Sequence, residues 1–158
     1  FIMHIVLHQP EIPGNTGNIA RLAAALGATL HLIKPLGFSL EDKYLKRAGL
    51  DYWHLLDIQI HENYDLFLEK YFTGEEQIYF LSTKGTESYT EQEYTENDIL
   101  VFGRETAGLP PNFSAIYSGI PVRIPMVEGA RSLNLSNAVA IICYEAARQN
   151  RFKGMKIR

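Results

Sequence analysis

The chain has 158 residues, 46% of them hydrophobic, and a formal charge of −3 at pH 7. That length suits one domain with a real core, expected to span 1–158, and no apolar run approaches the ~20 residues that a membrane span needs. With one cysteine and no basic-then-apolar leader before the first strand, the expectations are a cytoplasmic location and no disulfide within the chain. Phe1 and Ile2 precede Met3, the natural start, and are read as a non-native leader without a role.

Strand and helix patterns alternate along the chain. His4 to Leu7 is a short strand ended by Pro10 and Pro13. From Asn18 to Leu26, apolar residues at Ile19, Leu22, Ala23 and Leu26 have the spacing of a helix with one buried face, closed by Gly27. Ala28 to Lys34 returns as a strand, and Ser39 can cap a helix running through Arg47. A strand over 55–60, a helix over 64–72 and a strand over 78–82 follow, and the polar, acidic stretch 83–97 reads as loop. Short buried strands at 99–102 and 122–124 precede a last helix over 136–149, with a basic tail over 150–158. This succession implies an α/β fold with a mostly parallel sheet and helices on both faces.

Two helices point to a partner. Arg21 lies roughly opposite the Ile19, Leu22 and Leu26 stripe, among Ala20, Ala24 and Ala25. Such small side chains let a second subunit approach and share Arg21; an ordinary surface arginine is the other reading, and the sequence leaves both open. In the last helix, Leu135, Ala138, Val139, Ile141, Ile142, Cys143 and Ala146 cover most of the circumference. Either that helix is central in the core, or it is buried between core and partner, as in a two-fold homodimer. Cys143 in this run is expected to be a small buried hydrophobe, not a nucleophile.

The mean charge hides an asymmetry. Eleven acids between His61 and Glu105 face only Lys70, Lys84 and Arg104, a local −8 that leaves the remainder at +5. Lys43, Lys46 and Arg47 form one basic cluster, and Arg148, Arg151, Lys153, Lys156 and Arg158 form another; each could meet phosphates or be a solvated face.

No Gly-x-Gly-x-x-Gly, Gly-Lys-Ser/Thr or Gly-x-Ser-x-Gly motif is present, so dinucleotide, P-loop and hydrolase-elbow chemistries are not signalled. His31, His54 and His61 lack acidic or cysteine partners at ligand spacing, and no metal is expected. Three distant segments remain: Asn15-Thr16-Gly17-Asn18 with Arg21; Phe102-Gly103 with Glu105 and Gly108-Leu109-Pro110; and Ile124-Pro125-Met126 with Ser132-Leu133-Asn134-Leu135-Ser136-Asn137. Each follows a predicted strand, so a parallel sheet would gather them on the edge where open α/β sheets bind ligands.

In order and at this length, these segments resemble the SPOUT superfamily of RNA methyltransferases, most closely its short subgroup of tRNA (cytidine/uridine) 2′-O-methyltransferases acting on the wobble nucleotide. Similarity extends through Arg47-Ala48-Gly49-Leu50-Asp51-Tyr52, Thr83-Lys84-Gly85 and Tyr144-Glu145-Ala146. The resemblance implies a C-terminal deep trefoil knot, a homodimer and S-adenosylmethionine held by Leu81, Gly103, Ile124, Met126, Ser132 and Leu133. It makes Arg21 the key catalytic residue, presented to the other subunit's cofactor, with Ser132 and Asn134 ordering the methyl-transfer loop or contacting the ribose. Asn15 and Asn18 are expected to fix loop geometry through local bonds, and Glu105 to accept loop amides. Glycine at Gly103 is expected because the backbone there approaches a ligand. With no room for an added RNA-binding domain, tRNA contact falls to Lys43, Lys46, Arg47, Tyr144, Arg148 and the tail. A ribosomal RNA 2′-O-methyltransferase of the same fold and a non-catalytic RNA-binding module are the alternatives.

Overall fold

The computed structural model describes residues 2–43, 45, 47 and 56–157. Six strands form one sheet: β1 (His4–His8), β2 (Thr29–Ile33), β3 (Asp57–His61), β4 (Ile78–Leu81), β5 (Ile99–Phe102) and β6 (Ile120–Val122). Their order is β3-β2-β1-β5-β4-β6, and every pairing is parallel. A parallel sheet is covered on both faces, which is why β5 reads Ile-Leu-Val-Phe without alternation and is buried throughout.

Helices α1 (Pro13–Leu26) and α4 (Leu135–Gln149) cover one face; α2 (Tyr64–Tyr71) and the single turn α3 (Phe113–Ile116) lie on the other. Successive strand residues supply the two cores: Ile5, Leu7, Leu100 and Phe102 join the α1/α4 side, while Val6, Ile99 and Val101 join the α2/α3 side. Gly27 ends α1 in the left-handed conformation at φ 69°, and its N–H bonds back to Ala23 and Ala24 carbonyls. Asn63 caps α2 by accepting from the Leu66 N–H at 2.8 Å.

Most elements begin or end within two residues of the sequence reading, and three differences stand out, in α1, the helical residues 43, 45 and 47, and β6. Helix α1 starts at Pro13 rather than Asn18, because proline at the first position has no N–H to leave unsatisfied and so tolerates the glycines behind it. Within α1, Ala20 is fully buried with Ile19 and Ala23, whereas Leu22 is only half-buried; the outer face is Asn18, Arg21 and Ala25. Lys43, Leu45 and Arg47 are helical, but the side chain accepting from the Leu45 N–H is Asp42, not Ser39. The third is β6, which ends at Val122 and leaves Ile124 in the following loop.

Candidate active site

All six strands run the same way, so the chain leaves β1, β4, β5 and β6 at one edge. The segments 9–12, 82–85, 103–112 and 123–134 meet there. Between them lies a cavity of about 390 Å³, within the range of roughly 300–1,000 Å³ usual for small-molecule sites. Leu81, Gly103, Ile124, Met126, Ser132 and Leu133 all line it, and Phe80, Leu135 and Ala138 form its apolar floor. Leu81 is the last residue of β4 and not a loop residue.

A side chain on Gly103 would run into the Gly108 carbonyl carbon and the Leu109 nitrogen. The glycine is therefore required by its own loop, which doubles back so that Arg104 and Gly108 exchange backbone bonds of 3.1 and 2.8 Å. Close approach of a ligand is not needed to explain it. Gly108 stands at φ 65°, a conformation glycine adopts without a Cβ penalty.

Glu105 accepts loop amides as expected: the N–H groups of Glu11 and Ile12 donate to its two oxygens at 2.9 and 2.8 Å. The bracing is reciprocal, since Glu11 Oε1 accepts from the backbone and hydroxyl of Thr106 at 3.0 and 2.8 Å. Those two bonds hold the Glu11 carboxyl below the usual carboxylate range. Asn15 extends the network: its amide donates to Glu105 at 3.4 Å, and its carbonyl accepts from Asn134 Nδ2 at 3.1 Å. Asn134 also caps α4 by accepting from the Ser136 N–H at 2.9 Å. Asn15 thus acts across long sequence distances, not through local bonds, and joins all three segments. Glu11 belongs to the Pro10-Glu11-Ile12-Pro13 stretch of the first motif, but the sequence assigned it no role of its own.

The remaining predicted residues lie elsewhere. Arg21 is exposed on the outer face of α1 and does not line the cavity. Tyr144, 42% exposed, and Arg148 project from the outer face of α4, where both Arg148 Nε and Nη2 donate to Glu145, at 2.9 and 3.0 Å. Lys43 and Arg47 are exposed, and Lys46 lies outside the described residues. Cys143 is fully buried, and burial pushes its thiol up, so it packs as a small hydrophobe. Among the described residues no helix is long and apolar enough to cross a membrane, and no group of three His, Cys, Asp or Glu could hold a metal.

A parallel α/β sheet with an apolar, loop-built cavity beyond its strand ends is the architecture of a small-molecule-binding α/β protein. The chain belongs to the SpoU rRNA Methylase family, which it matches over residues 2–144. It is 47% identical over 161 residues to the tRNA (cytidine(34)-2′-O)-methyltransferase of Yersinia pestis, an alignment covering 99% of each chain. A solved structure concerned with 2-OH methylation of C/U34 on tRNA superposes with a TM-score of 0.90 at 47% identity, over 96% of this chain and 98% of that one. The SpoU methyltransferase AviRb from Streptomyces viridochromogenes, solved in complex with the cofactor AdoMet, superposes with a TM-score of 0.84 at 26% identity, over 94% of this chain and 60% of its own.

Proposed function

We propose that this chain is an S-adenosylmethionine-dependent tRNA 2′-O-ribose methyltransferase acting on the wobble nucleotide, cytidine or uridine. The observation that carries the reading is the convergence of Leu81, Gly103, Ile124, Met126, Ser132 and Leu133 on one cavity, from segments up to 52 positions apart in sequence. Its chemistry fits the cofactor: Leu81, Ile124 and Leu133 offer apolar contact to an adenine ring, and the loop backbones offer N–H and C=O groups to its edge. When bound, S-adenosylmethionine supplies a sulfonium-activated methyl group.

The protein's part is to orient the ribose hydroxyl and exclude competing acceptors. Ser132 and Asn134 stand where the methyl-transfer loop enters α4, and the Asn134–Asn15 bond ties that loop to the start of α1. Arg21 orients the hydroxyl by gripping the adjacent phosphate; a guanidinium that stays protonated suits that role better than base action. It sits eight residues into α1, about 12 Å along the axis from the edge where the loops meet. That distance supports delivery to the partner's cavity in a two-fold homodimer. The outer faces of α1 and α4, with Leu22, Ala25, Ile141 and Tyr144 at least partly exposed, fit the interface.

The proposal includes the family's C-terminal trefoil knot and one domain over the whole chain. Support for the threading comes from the end of α4, where Gln149 and Asn150 bond to Gln92 and Tyr94 in the β4–β5 connection. It also includes RNA contact by Lys43, Lys46, Arg47, Tyr144 and Arg148.

The test is transfer of labelled methyl groups from S-adenosylmethionine to tRNA transcripts with single wobble substitutions. The expected result is label in tRNA that disappears when the wobble 2′-hydroxyl is replaced by hydrogen. Label confined to ribosomal RNA overturns the substrate, and absence of S-adenosylhomocysteine binding by calorimetry overturns the enzyme.

A further inference from the structure

Basic residues that looked isolated in the sequence become neighbours around the cavity. Lys84 follows β4, Arg123 follows β6, and Arg131 lies in the segment leading to α4; all three line the cavity and are exposed. Among the described residues none of the three is paired with a carboxylate. The single acid lining the cavity, Glu105, has its oxygens turned to loop amides, and Lys84, Arg104, Arg123 and Arg131 outnumber it, so the rim carries a net positive charge.

Lys84 and Arg123 are mounted on hydrogen-bonded backbone. The Lys84 N–H bonds to Ser82 Oγ at 3.1 Å, and its ammonium donates to the Pro111 carbonyl at 2.9 Å, leaving two further donors. Arg123 is held by backbone bonds with Glu87 and Tyr89 at 3.0 and 2.8 Å, and its stem lies over Gly85, where an added Cβ would approach Arg123 Cγ to 3.1 Å. Arg104 also lines the cavity, but its charge is directed inward, where it bears on His8 and Glu11.

We propose that Lys84, Arg123 and Arg131 form a phosphate clamp that holds the RNA backbone on either side of the methylated ribose. This rests on the functional reading above and names the subsite that seats the substrate. Exposed cations on three separate segments match a polyanion running across the mouth, whereas one cofactor carboxylate would need only one of them. The clamp differs from the clusters at 43–47 and 148–158: Arg148 is already engaged by Glu145, while the rim residues have their charge available.

The test measures binding of an anticodon stem-loop RNA across a salt series for wild type, Lys84→Ala, Arg123→Ala and Arg131→Ala, with S-adenosylhomocysteine calorimetry on each. Each substitution is expected to weaken RNA binding about 3- to 10-fold and to flatten the log–log salt slope by about one, with product affinity unchanged. Arg131→Lys, which keeps the charge, is expected to restore the slope. RNA affinity and slope equal to wild type in all three variants overturn the clamp. So does lost product binding with RNA binding intact, which would give these cations to the cofactor's carboxylate. Binding needs no turnover, so failure of the methylation assay overturns the functional reading and leaves this readout standing.

Discussion

The two faces of the sheet are packed with different chemistry. On the α1/α4 side the core is mainly alanine, leucine and isoleucine, and both helices keep a partly exposed apolar surface outward. On the α2/α3 side Tyr64, Phe67, Phe80 and Phe113 form an aromatic cluster, with Phe80 edge-on to Phe113 and Tyr64 tilted against Phe67 and Phe113, and a row of imidazoles crosses the strands. His4 Nδ1 meets His31 Nε2, and His31 Nδ1 meets His61 Nε2, each at 2.9 Å. Parallel pairing makes this row: His4 is opposite Thr29 and His31 opposite Gln59, so each histidine stands two residues beyond the partner of the last. The contrast separates function from stability. The α1/α4 face carries Arg21, Tyr144 and Arg148 on its exposed side, while the α2/α3 face holds the buried histidines and with them the fold's sensitivity to acid.

The largest effect is expected on the outward face. Arg21→Ala should reduce methyl transfer by about 10²–10³-fold, the scale of losing one group that orients and stabilises a reacting centre, with S-adenosylhomocysteine affinity near wild type. Single-turnover assay and calorimetry check this, and unchanged turnover would break the division between the faces. At the cavity, Gly103→Ala forces a methyl group into the Gly108–Leu109 backbone and should destabilise the fold by about 1–3 kcal/mol with loss of product binding.

The buried histidines of the α2/α3 face predict an acid limit. Burial is the main cause that lowers His31 to about 2 and His8 to about 4, with neighbouring positive charge adding to it. The unfolded chain takes up these protons near pH 6.5 while the folded chain does not, so stability falls as pH drops below 6.5. Each histidine contributes about 1.4 kcal/mol per pH unit, His8 down to about pH 4 and His31 further. Urea midpoints at pH 7 and pH 5 measure it, and equal midpoints would contradict it. The smallest effect is Asn134→Ala, expected to cost about 1 kcal/mol through the lost cap, with a further loss of activity because its bond to Asn15 also goes.

Much of this was legible in the sequence because the signals were local. The apolar runs marked the strands, and three motifs following predicted strands indicated one edge and one cavity. What stayed hidden depended on pairing at a distance. Glu105 is expected from the sequence to accept loop amides, but that its partner is the Glu11 segment 94 residues away, bracing it in return, has no local mark. Lys84 enters the sequence reading only in the charge count and within Thr83-Lys84-Gly85, and Arg123 and Arg131 not at all, beside the clustered bases of 43–47 and the tail, yet the fold gathers all three at the cavity mouth. The misassignment of Ala20 has a different origin: the stripe drawn through Leu22 put it on the open face with Arg21, whereas the packing buries it completely and leaves Leu22 partly exposed.

The central claim is that each cavity is completed by Arg21 of the neighbouring protomer. Mixing an Arg21→Ala chain with a chain whose cavity is blocked by Leu133→Asp tests it, since each is inactive alone but a mixed dimer holds one intact cavity opposite one intact arginine. Random exchange should restore about one quarter of wild-type activity. No recovery, in a mixture shown by mass spectrometry to contain the mixed dimer, would contradict the account.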